Sequence, residues 1–334
     1  MNIKQKLEKE LSSFLGLKNA VLFGSCRNAL YTLLLSLKLK ETDEVIVQSF
    51  ICESVIGAAR RAGARPVLVD VNEKTFNLDY KLVEKNIHKN TKAIIFVHTY
   101  GNPSGISEIK QLCEKYNLIL IEDIAHALGA SYGGKLAGTF GDYAVYSFTK
   151  QMVNFGGGAV ITNQDVQAIR DLRDSFQSRP SSLVYIKRLF ASLYETRAFF
   201  ISKVMIYLVK KKEDLKLTNS LDQSFECSRL EAYFALRQIN CLKDNIQKRK
   251  RNFFYLNKKI VAQIVVKDAE SSFNYLSFIF PSGVERNKAL KNNFLFSPPW
   301  SGSAISERIA FVPNSPQFTR RKLDSFWNAY HKNL

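Results

Sequence analysis

Residues 118–163 read LILIEDIAHALGASYGGKLAGTFGDYAVYSFTKQMVNFGGGAVITN. Three short apolar runs lie in this stretch, at 118–121, 143–148 and 159–162. Each is continuous rather than alternating, the pattern of strands covered on both faces. Between the second and third runs come Ser147, a lone lysine at Lys150, and Gly156, Gly157 and Gly158. An amine held among buried strands is costly to desolvate. Desolvation lowers its pKa, and a neutral amine attacks carbonyls to form a Schiff base. Lys150 is therefore either a reactive centre or an ordinary loop lysine beside a glycine-rich turn.

Upstream the same grammar repeats. Apolar runs at 21–23, 45–47, 66–71 and 93–97 alternate with helical patterns at 29–39, 55–62, 80–87 and 108–116. With the three later runs this predicts a large α/β domain built on a mainly parallel seven-stranded sheet covered by helices. Ligands of such sheets sit at the C-terminal ends of the strands.

The loops after the strands carry the candidate chemistry. Gly24, Ser25 and Cys26 open a helix directly after a strand, which is either an anion-binding helix N-terminus or a simple serine cap. Asp123 follows the run 118–121, and a carboxylate delivered into a pocket there needs a cation, whether a protein side chain or a protonated pyridine nitrogen. His126 is three residues on; a lone histidine is more often a satisfied structural residue than a catalytic one. A phosphate cradle, an acid for a ring nitrogen, Ser147 and an imine-forming lysine together match what pyridoxal 5'-phosphate (PLP) asks of a protein. The GxxxxGK[ST] and GxGxxG signatures of nucleotide-binding loops are absent.

Composition narrows the class. The chain has 334 residues, 46% hydrophobic and 23% charged, as expected of a globular protein with a sizeable core. Its net charge is +18, which fits nucleic acid, an anionic membrane or a phosphate-bearing substrate. No zinc-finger, RRM or basic-zipper pattern is present, which argues against a nucleic-acid partner. The five cysteines lack CxxC or metal-ligand spacing, so no metal site is predicted and free thiols in a cytoplasmic setting are expected. The first 17 residues read as a short charged amphipathic helix without a signal-peptide core.

Several blocks in order carry a resemblance: DEVIVQSF (43–50), AGARPVLVDVNEKTFNLD (62–79), TKAIIFVHTYGNPSGI (91–106), LILIEDIAHALGASYGGKLAGTFGDYAVYSF (118–148) and GGGAVITN (156–163). Two later blocks, beginning at Ser228 and Phe311, extend it. The chain resembles the DegT/DnrJ/StrS-type sugar aminotransferases, PLP enzymes of the aspartate-aminotransferase fold. The resemblance implies that Lys150 forms the Schiff base with the cofactor and that Asp123 pairs with its pyridine nitrogen. It gives Ser147 and the backbone N–H groups of Ser25 and Cys26 to the phosphate. His126 stands where the family usually has Gln near the ring hydroxyl, which adds protonation as a variable. The ring-stacking position falls at Cys52, with Phe50 two residues earlier. Ser224 replaces the Asn that reaches the phosphate of a neighbouring subunit in a homodimer.

The turn before Lys150 is shorter than the family's, and Glu226 stands where an Arg is usual. The implied reaction is amination of a nucleotide-linked keto sugar, with glutamate as donor, in amino-sugar and surface-polysaccharide biosynthesis. Rival expectations are a PLP-dependent sugar dehydratase or deoxygenase, whose relatives lack the lysine, and a non-catalytic relative that binds a partner or membrane. Residues 181–216 are basic and amphipathic, either packing on protein or lying peripherally on the inner membrane surface. Three parts are expected: a PLP-binding α/β domain (1–180), a basic helical and inter-domain segment (181–245) and a small C-terminal α+β domain (246–334).

Overall fold

The computed structural model describes residues 1–152, 154, 156–176, 225–257, 269–273, 275–279, 283–290, 304–314 and 316–331. The predicted amphipathic segment 181–216 and Ser224 lie outside the described residues.

The seven predicted runs form one sheet. Its strands are β1 (Asn19–Phe23), β2 (Glu44–Gln48), β3 (Arg65–Val69), β4 (Thr91–Val97), β5 (Ile119–Asp123), β8 (Tyr143–Ser147) and β9 (Gly158–Thr162), in the spatial order β1-β9-β8-β5-β4-β2-β3. Four of the six pairings are parallel; β9 runs antiparallel to both β8 and β1. Because β9 alone is reversed, the other six strands all end at one edge of the sheet. The loops after β1, β2, β4, β5 and β8 therefore converge there.

Both faces of the sheet are covered, and the alternation of side chains shows it. Ala144 and Tyr146 of β8 and Ala159 and Ile161 of β9 join a core with α1 (Ile3–Leu15) and α7 (Arg229–Ile239). Val145 and Val160, one residue out of phase, join a second core with α2 (Cys26–Ser36) and α3 (Glu53–Arg61). Apolar side chains are needed on both faces, so the period of two is hidden in the sequence and the runs read as continuous. Helix α1 is fixed at both ends: Asn2 and Gln5 form a capping box, and Gly16 closes it at φ 69°, a left-handed position that suits glycine.

The structure departs from the predicted elements at three places. Helix α2 starts three residues earlier than its apolar pattern, because the Ser25 hydroxyl accepts the Asn28 N–H at 3.2 Å. The polar stretch after β5 forms a two-residue hairpin, β6 (Ser131–Tyr132) with β7 (Lys135–Leu136), too short for periodicity to register. In the C-terminal region, β10 (Ala269–Glu270) pairs with β6, so this part of the chain adds directly to the hairpin. Further on, β11 (Tyr275–Ile279) pairs antiparallel with β12 (Ile309–Pro313). Helix α8 (Leu242–Asn257) packs with α10 (Arg320–His331); α4 (Tyr80–Lys85), α5 (Ile106–Tyr116), α6 (Gln167–Ser175) and α9 (Gly283–Leu290) complete the described helices.

Ile161 is fully buried in the α1 face of the core. Truncation to alanine leaves a cavity there, so Ile161→Ala should lower unfolding stability by about 2–4 kcal/mol, measured by urea denaturation. A loss below about 0.5 kcal/mol would contradict the two-faced packing.

Candidate active site

The strand edge gathers the predicted residues. Lys150 lies in the turn after β8, half-buried. Its ammonium acts electrostatically on Asp123 and His126, at and just after the end of β5, and on Cys26, at the start of α2. Ser147, the last residue of β8, is buried, and its hydroxyl shares a 3.2 Å hydrogen bond with Thr149 Oγ1.

Asp123 ends β5 and is buried. Its Oδ1 accepts the Ala125 N–H at 2.9 Å; its other oxygen accepts no hydrogen bond among the described residues. Burial raises its carboxyl above the ordinary value, and the Ala125 bond, His98 and Lys150 oppose that rise. The preceding residue, Glu122, belongs to a separate polar centre. It accepts N–H groups from Gly138, Phe140 and Gly141 and sits 2.8 Å from His98 Nε2. This fully buried cluster pins the 138–141 loop against β4 and β5.

His126 is buried, and its ring lies nearly parallel to that of Tyr100, with centroids 6.4 Å apart. Burial, reinforced by the Lys150 charge, pushes the imidazole down to about 3. The ring is thus neutral at working pH, which removes the extra protonation variable that histidine suggests from the sequence.

Ser25 caps α2 with its hydroxyl, and Cys26 is the first residue of that helix. Burial drives the Cys26 thiol well above its usual range, so it remains protonated. The two residues predicted to face the ring separate clearly. Phe50 is fully buried, with Phe76 and Tyr100 at 6.2 Å. Cys52 is half-buried at the N-cap of α3, accepts from the Ser54 hydroxyl at 3.1 Å, and influences Cys26 electrostatically. Beyond Ser224, Phe225 stacks on Phe176 at 4.1 Å and its carbonyl accepts the Gly24 N–H at 2.9 Å. Glu226 is exposed and ion-pairs with Lys4.

Several residues that organise the site carry no sequence signal. Gln151 pairs through its side chain with both the N–H and the C=O of Leu128, at 2.9 and 3.1 Å. Arg249 Nη2 donates to the Gln151 carbonyl at 2.8 Å. Ser272 donates its hydroxyl to the His126 carbonyl at 2.5 Å and its N–H to Gly101 at 3.1 Å. Gly101 is left-handed (φ 86°), and a Cβ there would stand 2.0 Å from Ser272 Oγ, so this close approach requires glycine. Gln48, Asn77 and Thr99 form a buried network that ties the 48–50, 76–77 and 98–104 loops together.

The chain matches the DegT/DnrJ/EryC1/StrS aminotransferase family over residues 2–267, and it belongs to that family. It is 34% identical over 170 residues to GDP-perosamine synthase of Vibrio cholerae, covering 50% of this chain and 46% of that protein. It is 32% identical over 268 residues to the lipopolysaccharide biosynthesis protein RfbH of Salmonella typhimurium, covering 75% and 58% respectively. The chain spans less than half the length of three of the curated relatives it matches. The crystal structure of a DegT DnrJ EryC1 StrS aminotransferase from Brucella abortus superposes with a TM-score of 0.75 at 20% identity, covering 99% of this chain and 90% of that one; this likeness establishes the fold.

The family's cofactor is pyridoxal phosphate, and the donor set here fits it. A buried carboxyl raised by desolvation, with one oxygen taking no hydrogen bond among the described residues, suits a cationic ring nitrogen. Lys150 stands within electrostatic reach, and the Ser147 hydroxyl and the N-terminus of α2 lie on the same strand edge. Among the described residues no cluster suits a metal ion, and all five cysteines are free thiols.

His126 yields a pH prediction. Its folded pKa lies below the ordinary 6.5, so between 6.5 and about 3 the unfolded chain binds a proton that the folded chain refuses. Stability therefore falls as pH drops through that window, by up to about 1.4 kcal/mol per pH unit from this residue. In urea titrations between about pH 4 and 7, His126→Gln should flatten this slope. An unchanged slope would contradict the buried, neutral imidazole.

Proposed function

We propose that the protein is a PLP-dependent aminotransferase that aminates a keto sugar carried on a nucleotide. The observation that carries this reading is the placing of a buried, desolvated Asp123 within electrostatic reach of a half-buried Lys150 at the C-terminal edge of the sheet. Family membership supports the reaction class, and the names of the perosamine synthase and the lipopolysaccharide protein support an activated sugar used in surface-polysaccharide synthesis. The +18 net charge favours a diphosphate-bearing substrate.

Pyridoxal phosphate, when bound, supplies an electrophilic carbon and an electron sink. Asp123 keeps the ring nitrogen protonated, which it does best as a carboxylate relieved of its burial cost by that cation. Lys150 would hold the cofactor, and its amine would be the base that moves the proton from the α-carbon of the amino donor, which we take to be glutamate. Ser147 donates its hydroxyl to the phosphate, and the first backbone N–H groups of α2, at Ser25 and Cys26, face the same anion. His126, neutral, offers a hydrogen bond toward the ring hydroxyl. Cys52, half-buried where Phe50 is enclosed, would be the residue to cover the ring. The same reading carries a homodimer in which Ser224 approaches the neighbouring site, and a cytoplasmic location, in keeping with free thiols. No described helix is long and apolar enough to cross a membrane.

Purified protein mixed with PLP should develop a near-visible absorbance band, and Lys150→Ala should lack it. Turnover of a nucleotide keto sugar with glutamate should fall by roughly 10³-fold or more in that variant. A wild type without the band, or a Lys150→Ala variant that retains it, would sink the proposal.

A further inference from the structure

Lys150 occupies a turn whose two sides are tied to different parts of the chain. On its N-terminal side, Phe148 donates its N–H to Gly157 at 3.1 Å, continuing the β8–β9 pairing. On its C-terminal side, Gln151 is held twice. Its side chain grips Leu128, two residues after His126. Its carbonyl, the first beyond Lys150, accepts from Arg249 Nη2 at 2.8 Å. Only Thr149 and Lys150 itself lie between these anchors.

Arg249 comes from α8, 98 residues further along, and is only 5% exposed. Burying a guanidinium is expensive unless its donors are met. Its Nε donates to the Asn314 carbonyl at 3.2 Å. Asn314 in turn donates from Nδ2 to the carbonyls of Arg249 and Phe273, both at 2.9 Å. Phe273 follows Ser272, which holds the carbonyls of His126 and Gly101. One continuous chain of hydrogen bonds thus runs from the lysine turn through Arg249, Asn314 and the 272–273 segment to the loops that carry His126 and Tyr100. Its termini are the segments that must keep Lys150 in register with Asp123 and His126.

We propose that Arg249, locked by Asn314, is a positioning residue for Lys150. It fixes the Gln151 peptide, and through it the shortened turn, so that the reach of the amine toward Asp123 is set by the C-terminal part of the chain. A purely structural arginine would add stability without changing the reactivity of one lysine. A positioning arginine changes Lys150 specifically, because electrostatic coupling to Asp123 and His126 depends on separation. The inference rests on the role given to Lys150 above, but it is tested on the protein without cofactor.

The test is competitive acylation of lysines with acetic anhydride across a pH series, read by peptide mass spectrometry. Exposed Lys9 and Lys89 serve as internal standards. In Arg249→Met the Lys150 rate relative to the standards should change by at least about fivefold, with a shifted pH midpoint. Arg249→Lys, which retains a donor, should restore part of it. Asn314→Ala, a smaller change that frees the Arg249 backbone, should alter the Lys150 ratio in the same direction and serves if Arg249→Met does not fold. With added PLP, the pH midpoint of the near-visible band should move in the same variants. Unchanged Lys150 ratios in folded Arg249→Met or Asn314→Ala, whatever happens to melting temperature, would overturn the inference. A wild type that binds no PLP while its acylation ratios respond to Arg249 would instead overturn the cofactor reading and leave the positioning role standing.

Discussion

The Asp123 carboxyl sits where water is largely excluded, and that cost shapes the rest of the site. Its only hydrogen bond among the described residues comes from Ala125, too little to satisfy a full negative charge. Nearby cationic character is therefore a requirement, and Lys150 is placed to supply part of it. A protonated ring nitrogen would supply the remainder. The same exclusion of water holds His126 neutral and the Cys26 thiol protonated. Burial at one strand edge thus shifts Asp123, His126 and Cys26 together, each toward its uncharged form. Another buried carboxylate, Glu122, follows the opposite strategy: three backbone N–H groups and His98 surround it, and it serves structure.

The sheet makes this arrangement possible. Reversing β9 alone brings the ends of six strands to one edge, so loops distant in sequence meet there. Their positions are then fixed by polar contacts to backbone: Gln48 and Asn77 lock the 76–77 and 98–104 loops, Gln151 locks the lysine turn onto 124–129, and Ser272 joins 101 to 126. Two buried aromatic residues, Phe76 and Tyr100, adopt left-handed backbone conformations (φ 61° and 55°) within this network. Bulky residues rarely accept that strain, which points to tight constraint by their surroundings.

Much of this was legible in the sequence, for a definite reason. Strands buried on both faces must be apolar throughout, so six of the seven were visible as runs, the edge strand β3 showing through its own apolar residues although Leu68 is exposed, and the strand ends marked the loops where Asp123, Ser147 and Lys150 lie. Hydrogen bonds to main-chain carbonyls leave no such mark. Arg249 reads as one more basic residue in KRKRN, and Ser272 as one of two adjacent serines, because their partners are backbone atoms 98 and 146 residues away. The hairpin at 131–136 was too short for any period to show. Phe50 and Cys52 read alike as ring-facing candidates in the sequence, and only packing separates their surroundings, enclosing Phe50 with Phe76 and Tyr100 and leaving Cys52 half-buried. The identity of His126 was visible, but its neutrality follows from burial.

The account stands on Lys150 being the amine that engages the cofactor. Incubation with PLP, reduction with borohydride and peptide mapping tests this directly, because reduction makes the bond permanent at whichever lysine formed it. The predicted result is a single reduced adduct on Lys150. An adduct confined to other lysines, or none at all, would contradict the account.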